Sequence, residues 1–165
     1  MDEPLKPRSD PAPARQGWLH DLGLRGGWDW LTDRQFVRAL LTGVVFWLVL
    51  DRLGATGPVL GLAALFSLIL LQPVIEELLF RGLLQGRLIA QSWAQRSFAG
   101  FTLANWTVSL LFAAFHFINH PPLWAAGVLV PSLLYGYFRD RHDSVYPAIA
   151  LHVFYNAGYF LLRLL

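Results

Sequence analysis

Three short groups of polar residues interrupt an otherwise apolar chain: Glu76-Glu77-Leu78-Leu79-Phe80-Arg81, Phe112-Ala113-Ala114-Phe115-His116 and His152-Val153-Phe154-Tyr155-Asn156. The first is the richest. It follows the aliphatic run Val59 to Leu71 and precedes a second, Leu78 to Leu84, broken only by Arg81 and Gly82. A carboxylate left in hydrocarbon costs roughly 2.5–3.5 kcal/mol or more, so ionisable residues in such a setting mark a functional cavity. On a helix Glu77 and Arg81 face the same way and can pair, whereas Glu76 is rotated by about 100° and stays available for chemistry.

Each group also has a plainer explanation. The glutamates could begin an interfacial helix at Pro73, with their carboxylates near its positive end. His116 could be a hydrogen-bonded packing residue. His152 and Asn156, on one helical face, could clamp two helices together. Taken together, however, a free carboxylate, two imidazoles and an amide are the ingredients for activating a water and stabilising an oxyanion. Glu76 and His116 are equidistant from Arg96, so a hairpin turning there brings them to similar depth. His120 beside Pro121-Pro122 reads as loop, and nothing is assigned to His20 or His142. Ser67, Ser109 and Ser132 lie in none of the motifs, which disfavours a serine nucleophile. Zinc hydrolysis through Glu76, His116 and His152 is the alternative, although the sequence has no His-Glu-x-x-His.

The elements that must position these residues are helices in a membrane. Of the 165 residues 55 % are hydrophobic and 15 % charged, with no cysteine and a net charge of only +2, and the mean hydropathy is +0.44. That composition excludes an ordinary soluble domain, a disulfide scaffold and a thiol nucleophile, and no nucleic-acid partner is expected. Residues 1–34 read as a polar tail with an interfacial segment carrying Trp18, Trp28 and Trp30. Residues 35–165 read as a membrane-embedded domain. Its apolar runs, Phe36–Leu50, Gly57–Leu71, Phe101–Ile118, Leu123–Phe138 and Val145–Leu165, have helical length, so the predicted class is an all-α polytopic bundle of about five segments. The first is a retained anchor rather than a cleaved signal, since no Ala-x-Ala-like site follows it. With five crossings, eleven Lys and Arg fall on one side and two, Arg52 and Arg163, on the other. The bias places the N-terminus in the cytoplasm and the C-terminus outside. In such a drawing His116 lies near the end of its span and His152 nearer mid-membrane.

In this order and on successive hydrophobic segments, the three motifs resemble the signatures of the CPBP intramembrane endopeptidases, which include the CAAX prenyl proteases and the bacteriocin-processing or Abi proteins. The likeness covers about residues 60–160. It implies a peptidase in which Glu76 is the catalytic carboxylate, His116 helps it hold and deprotonate water, Glu77 and Arg81 orient the segment, and His152 with Asn156 forms the oxyanion hole. It further implies a glutamate-dependent mechanism with no cofactor, zinc being the alternative. The implied substrate is a membrane-anchored or lipid-modified protein cut near its C-terminal anchor, with membrane lipid as the surroundings and a bacterial cell membrane as the location. A compact chain of this kind resembles members dedicated to C-terminally tagged proteins. The competing expectation is a non-proteolytic membrane partner, for self-immunity or scaffolding, on the same fold.

Overall fold

The computed structural model describes residues 22–24, 27–55 and 57–162; Trp18 and most of the expected tail, residues 1–21 and 25–26, lie outside them. A single turn of 3-10 helix, Asp29–Thr32, leads into α1 (Arg34–Arg52). Asp33 caps α1 by accepting a hydrogen bond from the Gln35 N–H at 2.8 Å, the ordinary use of a short carboxylate at a helix start. The interfacial reading fits Trp28, which is 71 % exposed, but not Trp30. That indole is buried in the core, edge-on to Phe36 at 5.0 Å.

After an extended stretch, α2 runs from Leu62 to Leu88 without interruption. It passes through Pro73, so the helix neither starts nor breaks there. Instead the chain widens into π-type turns over Ser67–Leu71, just before the proline, and again over Leu78–Gln85. A proline ring collides with the carbonyl four residues back in a regular helix, and a wide turn relieves that collision. The glutamates therefore lie mid-helix, and the expected help from a helix N-terminus is absent.

A tight antiparallel pair, β1 (Ser97–Phe98) and β2 (Phe101–Thr102), departs from a purely helical fold. Its two-residue loop has positive φ at both Ala99 (50°) and Gly100 (84°), the geometry that matches strand twist. Next come α3 (Leu103–His116), the short α4 (Pro122–Gly127), α5 (Leu129–His142) and α6 (Tyr146–Leu161). The single run expected over Leu123–Phe138 is thus split. Pro131 has no N–H to offer the Gly127 carbonyl, so the helix ends and restarts there.

Among the described residues α2 alone is both long and apolar enough to cross a membrane, with mean hydropathy 1.8. α3 and α5 have 14 residues each, about 21 Å of helix against roughly 30 Å of hydrocarbon. The bundle is nonetheless inside-out by the standard of a water-soluble protein. Phe46, Leu62, Phe66, Leu110 and Leu123 are exposed, while Glu77, Arg81, Gln85, Asn105, Ser109 and Ser132 are fully buried. That inversion is what a hydrocarbon solvent requires.

α6 is central, packing against α1, α2 and α5. Its approach to α1 depends on Gly43, where a Cβ would lie 2.5 Å from the Tyr155 ring. Across that contact the Tyr155 hydroxyl donates to the Ala39 carbonyl at 2.9 Å and the Trp47 indole N–H to the Tyr155 carbonyl at 3.2 Å. One apolar cluster joins Trp30, Phe36, Tyr135, Phe138 and Leu151. A second, Phe80 with Val108 and Phe112, fastens α2 to α3.

Candidate active site

Consecutive residues of α2, Glu76 and Glu77, both reach α6, where His152 meets them. Its Nδ1 lies 2.9 Å from Glu77 Oε1, and its Nε2 lies 3.8 Å from Glu76 Oε2. A carboxylate can only accept, so Nδ1 carries the proton. Nε2, on the opposite edge of the ring, faces Glu76. At 3.8 Å those two atoms are too far apart for a direct hydrogen bond and suitably spaced to share a water. Tyr135 stacks on the imidazole at 4.7 Å, fixing its plane.

Glu77 is held in turn by Arg81. Arg81 Nε stands 3.4 Å from Glu77 Oε2, both side chains being fully buried, so the expected pair forms as an ion pair rather than a close hydrogen bond. The guanidinium Nη2 also donates to the Ser132 hydroxyl and carbonyl, at 2.7 and 3.0 Å, and the group sits 5.1 Å from the centre of the Phe112 ring. An unpaired carboxylate could not remain in this interior, and the arginine is what keeps Glu77 there. Glu76 has no such anchor and its side chain is 31 % exposed.

His116 and Asn156 each bond to a backbone carbonyl. His116 Nδ1 is 2.8 Å from the Phe112 carbonyl, which makes it the donor and leaves Nε2 free. Its ring lies against Phe112 at 4.6 Å, and Phe112 meets His152 edge-on at 6.0 Å. Phe112 thus touches both imidazoles, and the one that pairs with Glu76 is His152. Asn156 Nδ2 donates to the Leu68 carbonyl at 2.8 Å. In a π-type turn that carbonyl would look five residues ahead for its donor, to Pro73, which has none. Asn156 supplies what the proline lacks, with one amide hydrogen left over.

His120 lies beyond the end of α3, as expected for a loop residue, and its ring stacks on His116 at 5.5 Å. The four-residue spacing of the two histidines was the available signal. Gln85, Asn105, Ser132 and Asp140 also gave no motif. Gln85 Nε2 donates to the Gly136 carbonyl and to Asp140 Oδ1, each at 2.8 Å, and Asp140 Oδ2 accepts from Thr102 at 2.7 Å. Asn105 donates to the Leu133 carbonyl at 2.9 Å and accepts from Ser109 at 2.9 Å. Gly136 permits this: a Cβ there would lie 2.0 Å from Asn105 Oδ1.

The alternative zinc set is not assembled. Among the described residues no three His, Asp or Glu side chains are grouped so as to hold a metal ion, and Glu76, His116 and His152 are no exception. What α2 and α6 build is a carboxylate facing an oriented imidazole, inside a helical bundle with an apolar exterior. That is the equipment of a membrane-embedded hydrolase.

The sequence comparison agrees. Residues 58–158 match the family model described as type II CAAX prenyl endopeptidase Rce1-like. The chain belongs to this family of integral membrane peptidases. No curated protein and no solved structure matches it.

Proposed function

We propose that the protein is an intramembrane endopeptidase that hydrolyses a peptide bond of a membrane-anchored or lipid-modified protein near its C-terminal anchor. The observation that carries this reading is the position of His152, tied at Nδ1 to a buried, arginine-paired Glu77 and facing Glu76 across 3.8 Å with Nε2. A water in that gap has the Glu76 carboxylate as its base. As its oxygen bonds to the peptide carbonyl carbon, Glu76 takes its proton; as the carbon–nitrogen bond breaks, Glu76 returns that proton to the leaving amine. The carbonyl oxygen needs donors while it is negative. The amide hydrogen of Asn156 not used on the Leu68 carbonyl is one such donor, and His152 and His116, whose protons are used at Nδ1, would donate from Nε2 only as imidazolium.

Glu77 and Arg81 are positioning residues in this scheme. In this reading His152 stands beside Glu76, where the family resemblance implies His116. The proposal includes five membrane crossings, by α1, α2, α3, α5 and α6, with loops completing the shorter ones. The test is cleavage of co-expressed proteins carrying C-terminal apolar anchors. Glu76→Gln is expected to abolish processing while the protein still inserts and accumulates, and wild-type turnover by that variant would remove the proposal.

A further inference from the structure

The bundle has two unlike ends. At one, α1 begins, α2 ends, α3 begins, α5 ends and α6 begins. Arg141 Nε meets Asp33 at 2.6 Å, Thr102 donates to Asp140, and the Val145 N–H donates to the Gly23 carbonyl at 3.0 Å. At the other end the Gly57 N–H donates to the Tyr159 carbonyl at 2.9 Å, and Trp124 of α4 packs on the Tyr159 ring at 5.1 Å. The basic residues divide unequally between them. Arg34, Arg38, Arg87, Arg96, Arg139 and Arg141 belong to the first end, and among the described residues only Arg52 belongs to the second. By the charge rule for membrane proteins the first end faces the cytoplasm.

The candidate site is closed towards that end. Passing along α2 from Glu76 to the arginine-rich face, one meets Glu77, Arg81 and Gln85, each fully buried, with Asn105, Ser109 and Ser132 packed across them. On the other side of Glu76 the polar side chains are exposed: Gln72, one turn back along α2, and Asn119 and His120 beyond the end of α3, with the Glu76 side chain itself 31 % exposed. The turns and the short α4 there carry no charged side chain between Phe117 and Leu129 other than what His120 can bear.

We propose that the active site opens to the extracytoplasmic face. Water and the scissile peptide reach Glu76 past His120, and the substrates are exported polypeptides held by a C-terminal apolar segment, cut at the outer edge of that segment. This rests on the proteolytic reading for its substrate class but not for its geometry, and the two can fail separately. The chain has no cysteine, so single cysteines report position directly. In intact cells expressing the full chain, a membrane-impermeant maleimide is expected to label Asn119→Cys and to label Ser92→Cys only after permeabilisation. Charged methanethiosulfonate added outside is expected to modify Glu76→Cys, whereas the same reagent confined inside inverted vesicles is not. Reversed labelling of the first two, or modification of Glu76→Cys from the inner side or from neither, overturns the proposal. None of these measurements depends on activity, so a chain that labels as expected and cleaves nothing would count against proteolysis alone.

Discussion

The polar seam through this bundle has two halves that treat the same problem in opposite ways. From Glu77 to Asp140 nearly every polar side chain is buried and tied into a ladder: Arg81 on Ser132, Gln85 on Gly136 and Asp140, Asn105 on Leu133. Around Glu76 the groups are left with capacity to spare. Glu76 makes no direct hydrogen bond to His152, and His116 keeps one ring nitrogen free. The ladder lowers the cost of polar atoms in an apolar interior, although Glu77 Oε2, Arg81 Nε and Nη1 and Gln85 Oε1 have no hydrogen bond within it, while the loose half keeps a partly exposed carboxylate within reach of water. A rigid half is what allows the other half to be unsatisfied in a defined geometry.

The contrast makes the largest difference at Glu76. Glu76→Gln removes the proposed base but no structural partner, so cleavage should fall by about 10²–10⁴ or more with an unchanged thermal midpoint in detergent. A large loss of stability would place Glu76 in the ladder instead. Arg81→Met should do the reverse first: it strands the Glu77 carboxylate and is expected to cost about 3–5 kcal/mol of stability, measured by denaturation in mixed micelles. Little change there would mean that Glu77 is not charged in the folded protein.

Asn156 belongs to both halves, and a pair of variants separates its roles. Asn156→Ala leaves the Leu68 carbonyl without a donor, at about 1–3 kcal/mol, and removes a candidate oxyanion donor, at about 10²–10³ in rate. Adding Pro73→Ala gives α2 back a backbone N–H near that carbonyl. If Asn156 acts on the substrate, the double variant should regain stability but not turnover; recovery of both would make it purely structural.

The smallest effect is expected far from the site, at the start of α1. Burial pushes the Asp33 carboxyl up, but hydrogen bonds from Arg141 and the Gln35 N–H, with the charges of Arg141 and His142, outweigh it and hold the group below the usual carboxylate range. A lowered folded-state value stabilises above the ordinary pKa of about 3.9, and that contribution is lost as pH falls through the lower value. Asp33→Ala should cost about 0.5–2 kcal/mol as a lost cap, flatten the acid limb of the stability curve and leave cleavage unchanged. Altered cleavage would couple the arginine-rich end to the reaction.

Much of this was legible without coordinates. The polar residues that matter most stood out because hydrocarbon penalises charge, so Glu76, Glu77, Arg81 and His152 were conspicuous in apolar runs, and the Glu77–Arg81 pairing followed from helical spacing. Residues whose polarity costs less to hide, Gln85, Asn105 and Ser132, gave no signal because their significance lies in partners on other helices, and Asp140 gave none because it sits between Arg139 and Arg141 at the charged end of α5. The path of α2 through Pro73 was also hidden. A proline announces a disturbance but not its form, and here the helix widened rather than broke.

The sequence by itself determined that the chain forms apolar helices around a small set of acids and imidazoles, since hydropathy and spacing are local properties. Which imidazole faces Glu76 was decided only by tertiary structure. His116 and His152 are equally plausible in a linear reading; the crossing of α2 and α6 brings His152 to Glu77 and Glu76, while Phe112 lies against both rings.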